Sequence, residues 1–161
     1  MKASVIYGAI AVVVIGLIAK PFIIKTKEDK IIKEAMSKPE GIPTVEWDML
    51  YKLDYKTGKA PDDLKQFDGK FVKIPGFVVP LSDNFKVLDE FLLVPDAQSC
   101  IHVPPPPPNL IVHTTLRNSI PIEESYNPAW IYGILKIETT ESIYGKAGFT
   151  LDAVKMERFD Y

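Results

Sequence analysis

The chain has 161 residues and 18.1 kDa, with 47% apolar and 25% charged residues and a formal charge of -2. That balance excludes a collagen-like or wholly disordered polymer and a protein that crosses a membrane many times. A mean hydropathy near zero is high for a chain so charged, which points to a concentrated apolar segment, and a single Cys excludes an intramolecular disulfide.

The N-terminus supplies that segment. ASVIYGAIAVVVIGLIA, from Ala3 to Ala19, carries no charge and spans about 25 Å as a helix at ~1.5 Å per residue. With Phe22 to Ile24 it is long enough to cross a bilayer, so residues 1–24 are predicted as a transmembrane signal anchor. A cleaved secretory signal is the competing reading, but Leu17 and Ala19, followed by Lys20 and Pro21, make a poor cleavage site. No Cys follows the run, so a lipid anchor is not expected. Lys20, Lys25, Lys27 and Lys30 outnumber Lys2, which by positive-inside counting favours a cytoplasmic domain.

Residues 25–43 read as a charged juxtamembrane helix and linker. Ile31, Ile32, Ala35 and Met36 share a helical stripe, and Pro39, Gly41 and Pro43 break it. Residues 44–161 are one domain's worth of chain. Trp47 to Tyr55 fits a short helix or an irregular lead-in, and Ala60 to Asp68 a helical turn ending at Asp68-Gly69. Strands are predicted at Phe71–Pro80, bent at Pro75-Gly76, and at Phe91–Val94, Leu110–Thr115, Trp130–Thr139 and Phe149–Phe159. Five strands with short helical pieces predict a mainly β domain, a small OB-like barrel, with a β-sandwich as the alternative.

Cys100, His102 and His113, every Cys and His in the chain, fall within 14 consecutive residues. The i, i+2 spacing of Cys100 and His102 sends both side chains to one face of an extended backbone. A thiol beside an imidazole suits a soft metal such as zinc or copper, or a thiol activated by imidazolium. The plainer reading is a buried Cys next to a His bonded to backbone. Pro104, Pro105, Pro106, Pro107 and Pro108 form a stiff polyproline II segment, a rigid connection or a ridge for an aromatic-lined partner. A turn near Pro107 and Pro108 would return His113 toward His102, with Asp96 or Glu90 as an added carboxylate.

GKFVKIPGFVVPL at Gly69–Leu81, EFLLVP at Glu90–Pro95 and, above all, CIHVPPPPPN at Cys100–Asn109 resemble a bacterial domain family of unknown function marked by that Cys-x-His-x-polyproline-Asn block. The likeness covers about Trp47 to Phe159. It implies an exported envelope protein, held in the inner membrane with its domain on the periplasmic side, in neighbourhoods that include ABC-type permeases and metal-related proteins. It makes Cys100, His102, the prolines and Asn109 the functional candidates, leaves His113 outside the block, and brings no activity with it. The absent lipobox Cys is a departure from the family.

Two functions are therefore expected: a non-catalytic, membrane-anchored protein binding zinc or copper through Cys100 and His102 in or beside a transport complex, or an adaptor docking by its proline ridge and Asn109 without metal. Nucleic acid is not an expected partner, because a pI near 5.7 lacks the basic footprint that phosphates require. No phosphate loop, Ser elbow or locatable paired-acid motif argues for an enzyme. Asp62-Asp63, Glu123-Glu124 and Lys65, Lys70 and Lys73 read as solvated faces, and Trp47, Phe77, Trp130 and Tyr132 as barrel core or rim.

Overall fold

A computed structural model describes residues 26–81, 86–97, 106–125, 127–142 and 145–159. The predicted anchor, residues 1–24, lies outside them. So do Cys100, His102, Pro104 and Pro105. Among the described residues no helix is long and apolar enough to cross a membrane. The chain divides into two compact units, Met1–Lys38 and Pro39–Tyr161.

In the first unit, residues 26–37 form helix α1, where Ile31, Ile32 and Ala35 are half-buried and Met36 is exposed. The second unit begins ahead of the expected Thr44. Ile42 and Val45 are buried, and Lys73 N–H donates to the Pro43 carbonyl, so the end of the expected linker is part of the barrel's packing.

Segments rich in β-branched and aromatic residues build most of the strands β1 (Lys70–Pro80), β2 (Val87–Val94), β3 (Val112–Pro121), β4 (Ala129–Lys136) and β7 (Phe149–Arg158), and two short polar strands, β5 (Thr140–Ser142) and β6 (Gly145–Ala147), lie between β4 and β7 in the chain. Five of them close a barrel in the order β1-β2-β3-β7-β4, with β5 and β6 a separate hairpin. The β-sandwich alternative thus gives way to a closed five-stranded barrel. All barrel pairs are antiparallel except β3 with β7, which runs parallel from Val112–Phe149 to Leu116–Ala153.

β1 closes the barrel by changing partners midway. Lys70 to Gly76 pair with β4 and Phe77 to Pro80 with β2. At the changeover a Cβ on Gly76 would lie 2.7 Å from the Val94 carbonyl oxygen and 3.0 Å from Leu93, so only glycine admits the end of β2 there. The predicted bend is this change of partner. A bulge sits at Tyr132/Gly133, where β4 meets β7.

Val72, Ile74, Phe91, Leu93, Ile131 and Phe149 face inward and are buried. Burying a side chain of this size contributes about 1.5–3 kcal/mol. Helices α2 (Trp47–Leu50) and α3 (Asp62–Lys65) add Leu50 and Leu64 to the same core. Trp47 Nε1–H donates to the Pro75 carbonyl at 2.6 Å, which ties α2 to the bend in β1. Outside the barrel, Leu92, Val94, Ile111 and Ala147 make a second apolar cluster, with Phe77, Val79 and Leu81 against it. Ala147 belongs to β6, so the hairpin contributes to the apolar cluster on β2 and at Ile111, just ahead of β3.

Candidate functional site

The segment predicted to carry the chemistry joins β2 to β3, and its second half is held to the fold by backbone and amide hydrogen bonds. Pro106, Pro107 and Pro108 are half-buried, and Pro108–Leu110 form one 3-10 turn. Proline has no N–H, but its carbonyl still accepts: Gly148 N–H donates to the Pro108 oxygen at 2.7 Å. A Cβ on Gly148 would lie 2.8 Å from that oxygen and 2.8 Å from Leu53, so this approach requires glycine.

Asn109 was expected at a docking surface with the prolines. Its side chain instead turns into the fold and is 4% exposed. Its Nδ2 donates to the carbonyls of Tyr51 at 2.8 Å and Leu53 at 3.1 Å. Asn suits this place because one amide supplies two donors to two carbonyls that a helical turn leaves open. Its Oδ1 is buried with no hydrogen-bond donor among the described residues.

Directly after Ile111, the alternation of β3 sends Val112 and Thr114 inward and His113 outward. His113 pairs in register with Leu92 on one side and Thr150 on the other. Its Nε2 lies 2.7 Å from Glu90 Oε1, with the imidazole 16% and the carboxylate 49% exposed. An ionised carboxylate only accepts, so Nε2 carries the hydrogen and donates it, and Nδ1 of a neutral ring keeps its lone pair. The pair opens into a cavity of about 400 Å³ lined also by Leu81, Glu141 and Ser142. Glu141 is in an ion pair with Lys146 at 3.2 Å. Among the described residues no group of three or more His, Cys, Asp or Glu is arranged to hold a metal ion.

Of the predicted ligands, then, His113 is the one described, and Cys100 and His102 lie outside the described residues. Of the two carboxylates considered beside it, Glu90 is at His113. The separation of 23 positions hides this in the sequence; the pairing of β2 with β3 creates it.

A second polar group, on β4 and β7, had no sequence signal. Tyr132 O–H donates to Glu157 Oε2 at 2.6 Å, Lys155 pairs with Glu157, and Lys155 Nζ stands 5.3 Å from the centre of the Tyr132 ring. Burial, reinforced by the Glu157 hydrogen bond, pushes the Tyr132 phenol up to about 12. The hydrogen bond from Lys155, then that from Tyr132, holds the Glu157 carboxyl below its ordinary range. Next to it Lys73 Nζ sits 4.8 Å over the Trp130 ring, whose centre is 4.9 Å from that of Phe159 in an edge-to-face contact. Across β3 and β7, Arg117 and Asp152 form a two-pronged ion pair, with Nε at 2.9 Å from both carboxylate oxygens. The acidic pair Asp62 and Asp63 is on the surface as predicted, bonded to Lys65 at 3.2 Å and Lys52 at 2.6 Å.

Comparison with known families matches residues 24–158 to a profile described as a protein of unknown function, DUF3299. Among solved structures the chain is similar to a DUF3299 family protein from Pseudomonas aeruginosa PAO1. The two share 30% identity and a TM-score of 0.60, over 75% of this chain and 99% of the other. Comparison with curated proteins finds no match.

Proposed function

Since the chain belongs to the DUF3299 family of unknown function, we propose that it is a membrane-anchored envelope protein, non-catalytic, whose Cys100 and His102 bind a soft metal ion, zinc or copper. In this reading Ala3 to Ala19 anchor it in the bacterial inner membrane as a single span. The domain, an OB-like barrel by its β1-β2-β3-β7-β4 order, stands on the periplasmic side within or beside a transport complex such as an ABC-type transporter.

The observation that carries the reading is the Glu90–His113 pair. A metal-binding imidazole commonly gives its second ring N–H to a carboxylate, which fixes the tautomer and raises the basicity of the other nitrogen. His113 has that arrangement at 2.7 Å, in an open cavity, on the strand that the Cys100–His102 segment leads into. Thiolate and imidazole donors fit zinc or copper(I) better than calcium or magnesium. Cys100 and His102 would be the ligands, His113 a third, and Glu90 would orient His113.

Metal analysis of the full chain, purified without chelator beside its Cys100→Ala/His102→Ala variant, is the test. About one metal per chain in the parent and near none in the variant is expected. Equal, near-zero content in both overturns the metal reading. The adaptor function then stands in its place, identified by a stoichiometric membrane partner that still co-purifies with Cys100→Ala.

A further inference from the structure

The large apolar side chains exposed on the barrel unit, among the described residues, are Tyr51 and Tyr55, at 62% and 42%. Both lie in YKLDYKTGK, residues 51–59, and the structure holds this segment in a defined turn. Leu53 is buried beneath it, and Asp54 N–H bonds to the Lys59 carbonyl at 3.0 Å. Gly58, at φ +71, closes the turn with its N–H 2.7 Å from the Asp54 carbonyl. The two tyrosines are therefore presented on fixed backbone, at little cost in ordering on contact.

The charge of the turn has a direction. Asp54 spends its carboxylate on the turn itself, accepting from the N–H groups of Lys56 at 3.0 Å and Thr57 at 3.3 Å and from Thr57 Oγ1 at 2.6 Å. The Thr57 hydroxyl hydrogen bond holds its carboxyl below the usual range, so it stays ionised and engaged inward. Lys52 is taken by Asp63. Lys56 and Lys59 remain exposed, and neither forms an ion pair among the described residues, although the Asp54 charge still attracts Lys56. Two amphipathic rings beside two outward ammonium groups match the headgroup layer of an anionic bilayer: tyrosine settles at that depth, and each lysine near the surface is drawn to negative lipid.

We propose that Tyr51, Tyr55, Lys56 and Lys59 dock the barrel onto an anionic phospholipid surface. The proposal rests on the anchor assigned above, because so small a contact is weak for a free domain. Tethering makes it intramolecular, at an effective concentration on the order of millimolar.

The test reconstitutes the full chain into vesicles of neutral phosphatidylcholine, or with about a third phosphatidylglycerol. Hydrogen exchange is followed over residues 51–59, with 154–158 as the control. Exchange over 51–59 is expected to slow about fivefold or more in the anionic vesicles, to recover at high salt, and to be unprotected in Tyr51→Ser/Tyr55→Ser. Equal exchange in both vesicles, with the chain bilayer-inserted, overturns the docking surface and leaves the anchor intact. Release of the chain by alkaline carbonate refutes the anchor separately. That result also removes the tether on which the docking surface rests and overturns it with the anchor, whereas equal exchange in an inserted chain overturns the docking surface alone.

Discussion

Among the described residues of the barrel, two ring side chains donate hydrogen bonds of nearly equal length to carboxylates on different parts of the outer surface, His113 to Glu90 at 2.7 Å and Tyr132 to Glu157 at 2.6 Å. The first opens into a cavity beside the β5–β6 hairpin. In the second only the ring is covered: Tyr132 is 8% exposed beneath Lys155, while Glu157, which Lys155 also pairs with, stays partly exposed. The same bond thus has different consequences. Where neighbours remove water, it stabilises the fold and resists ionisation; where a cavity remains, the ring keeps a nitrogen for a ligand.

The alkaline limb of stability is the largest expected effect. Unfolded tyrosine ionises near 10 and Tyr132 near 12, so the folded state holds its proton longer. Stability is full below pH ~10 and falls as pH rises toward ~12, by on the order of 1–2 kcal/mol. Denaturant melts across that range read this slope, and Tyr132→Phe should flatten it. A slope unchanged in the variant would show that the covered face does not govern the tyrosine.

Lys155→Ala comes next. It removes a cation from the Tyr132 ring and the leading cause of the lowered Glu157 carboxyl. A loss of about 0.5–1 kcal/mol at neutral pH is expected in urea midpoints, with the Glu157 titration moving up toward its ordinary range.

The open pair should respond least in stability. Glu90→Gln is expected to cost under ~0.5 kcal/mol, since the carboxylate is about half exposed and the mostly buried His113 ring stays in place. The same variant should weaken metal retention about tenfold or more, read by competition with a chromogenic chelator. A stability loss as large as that of Lys155→Ala, with retention unchanged, would make the two faces alike.

The sequence makes much of the barrel legible because FVKIPGFVVP and WIYGILKI are dense in β-branched and aromatic residues that can face a core on one side and pack on the other. The second half of β3, Arg117 to Pro121, is missed because its residues are mostly polar and its pairing with β7 ends at Leu116–Ala153. The β5–β6 hairpin is missed for a related reason: TES and GKA offer Ala147 as their one buried side chain, so no apolar period marks them. At the candidate site, His113 could be named from its nearness to His102, but choosing Glu90 over Asp96 needed the strand register. Tyr132 read as core or rim; its link to Glu157, 25 positions away, arises from the β4–β7 pairing. Asn109 is grouped with the proline ridge by the family block alone, and the carbonyls that draw it inward lie 56 and 58 positions earlier.

The position of β7 also bears on how the molecule is made. This strand, Phe149–Arg158, fills the place between β3 and β4. A nascent chain emerging from the ribosome leaves both neighbours with an open edge until that strand arrives. Ring closure therefore waits for β7, and until that strand pairs, the facing edges of β3 and β4 are open to any other extended chain.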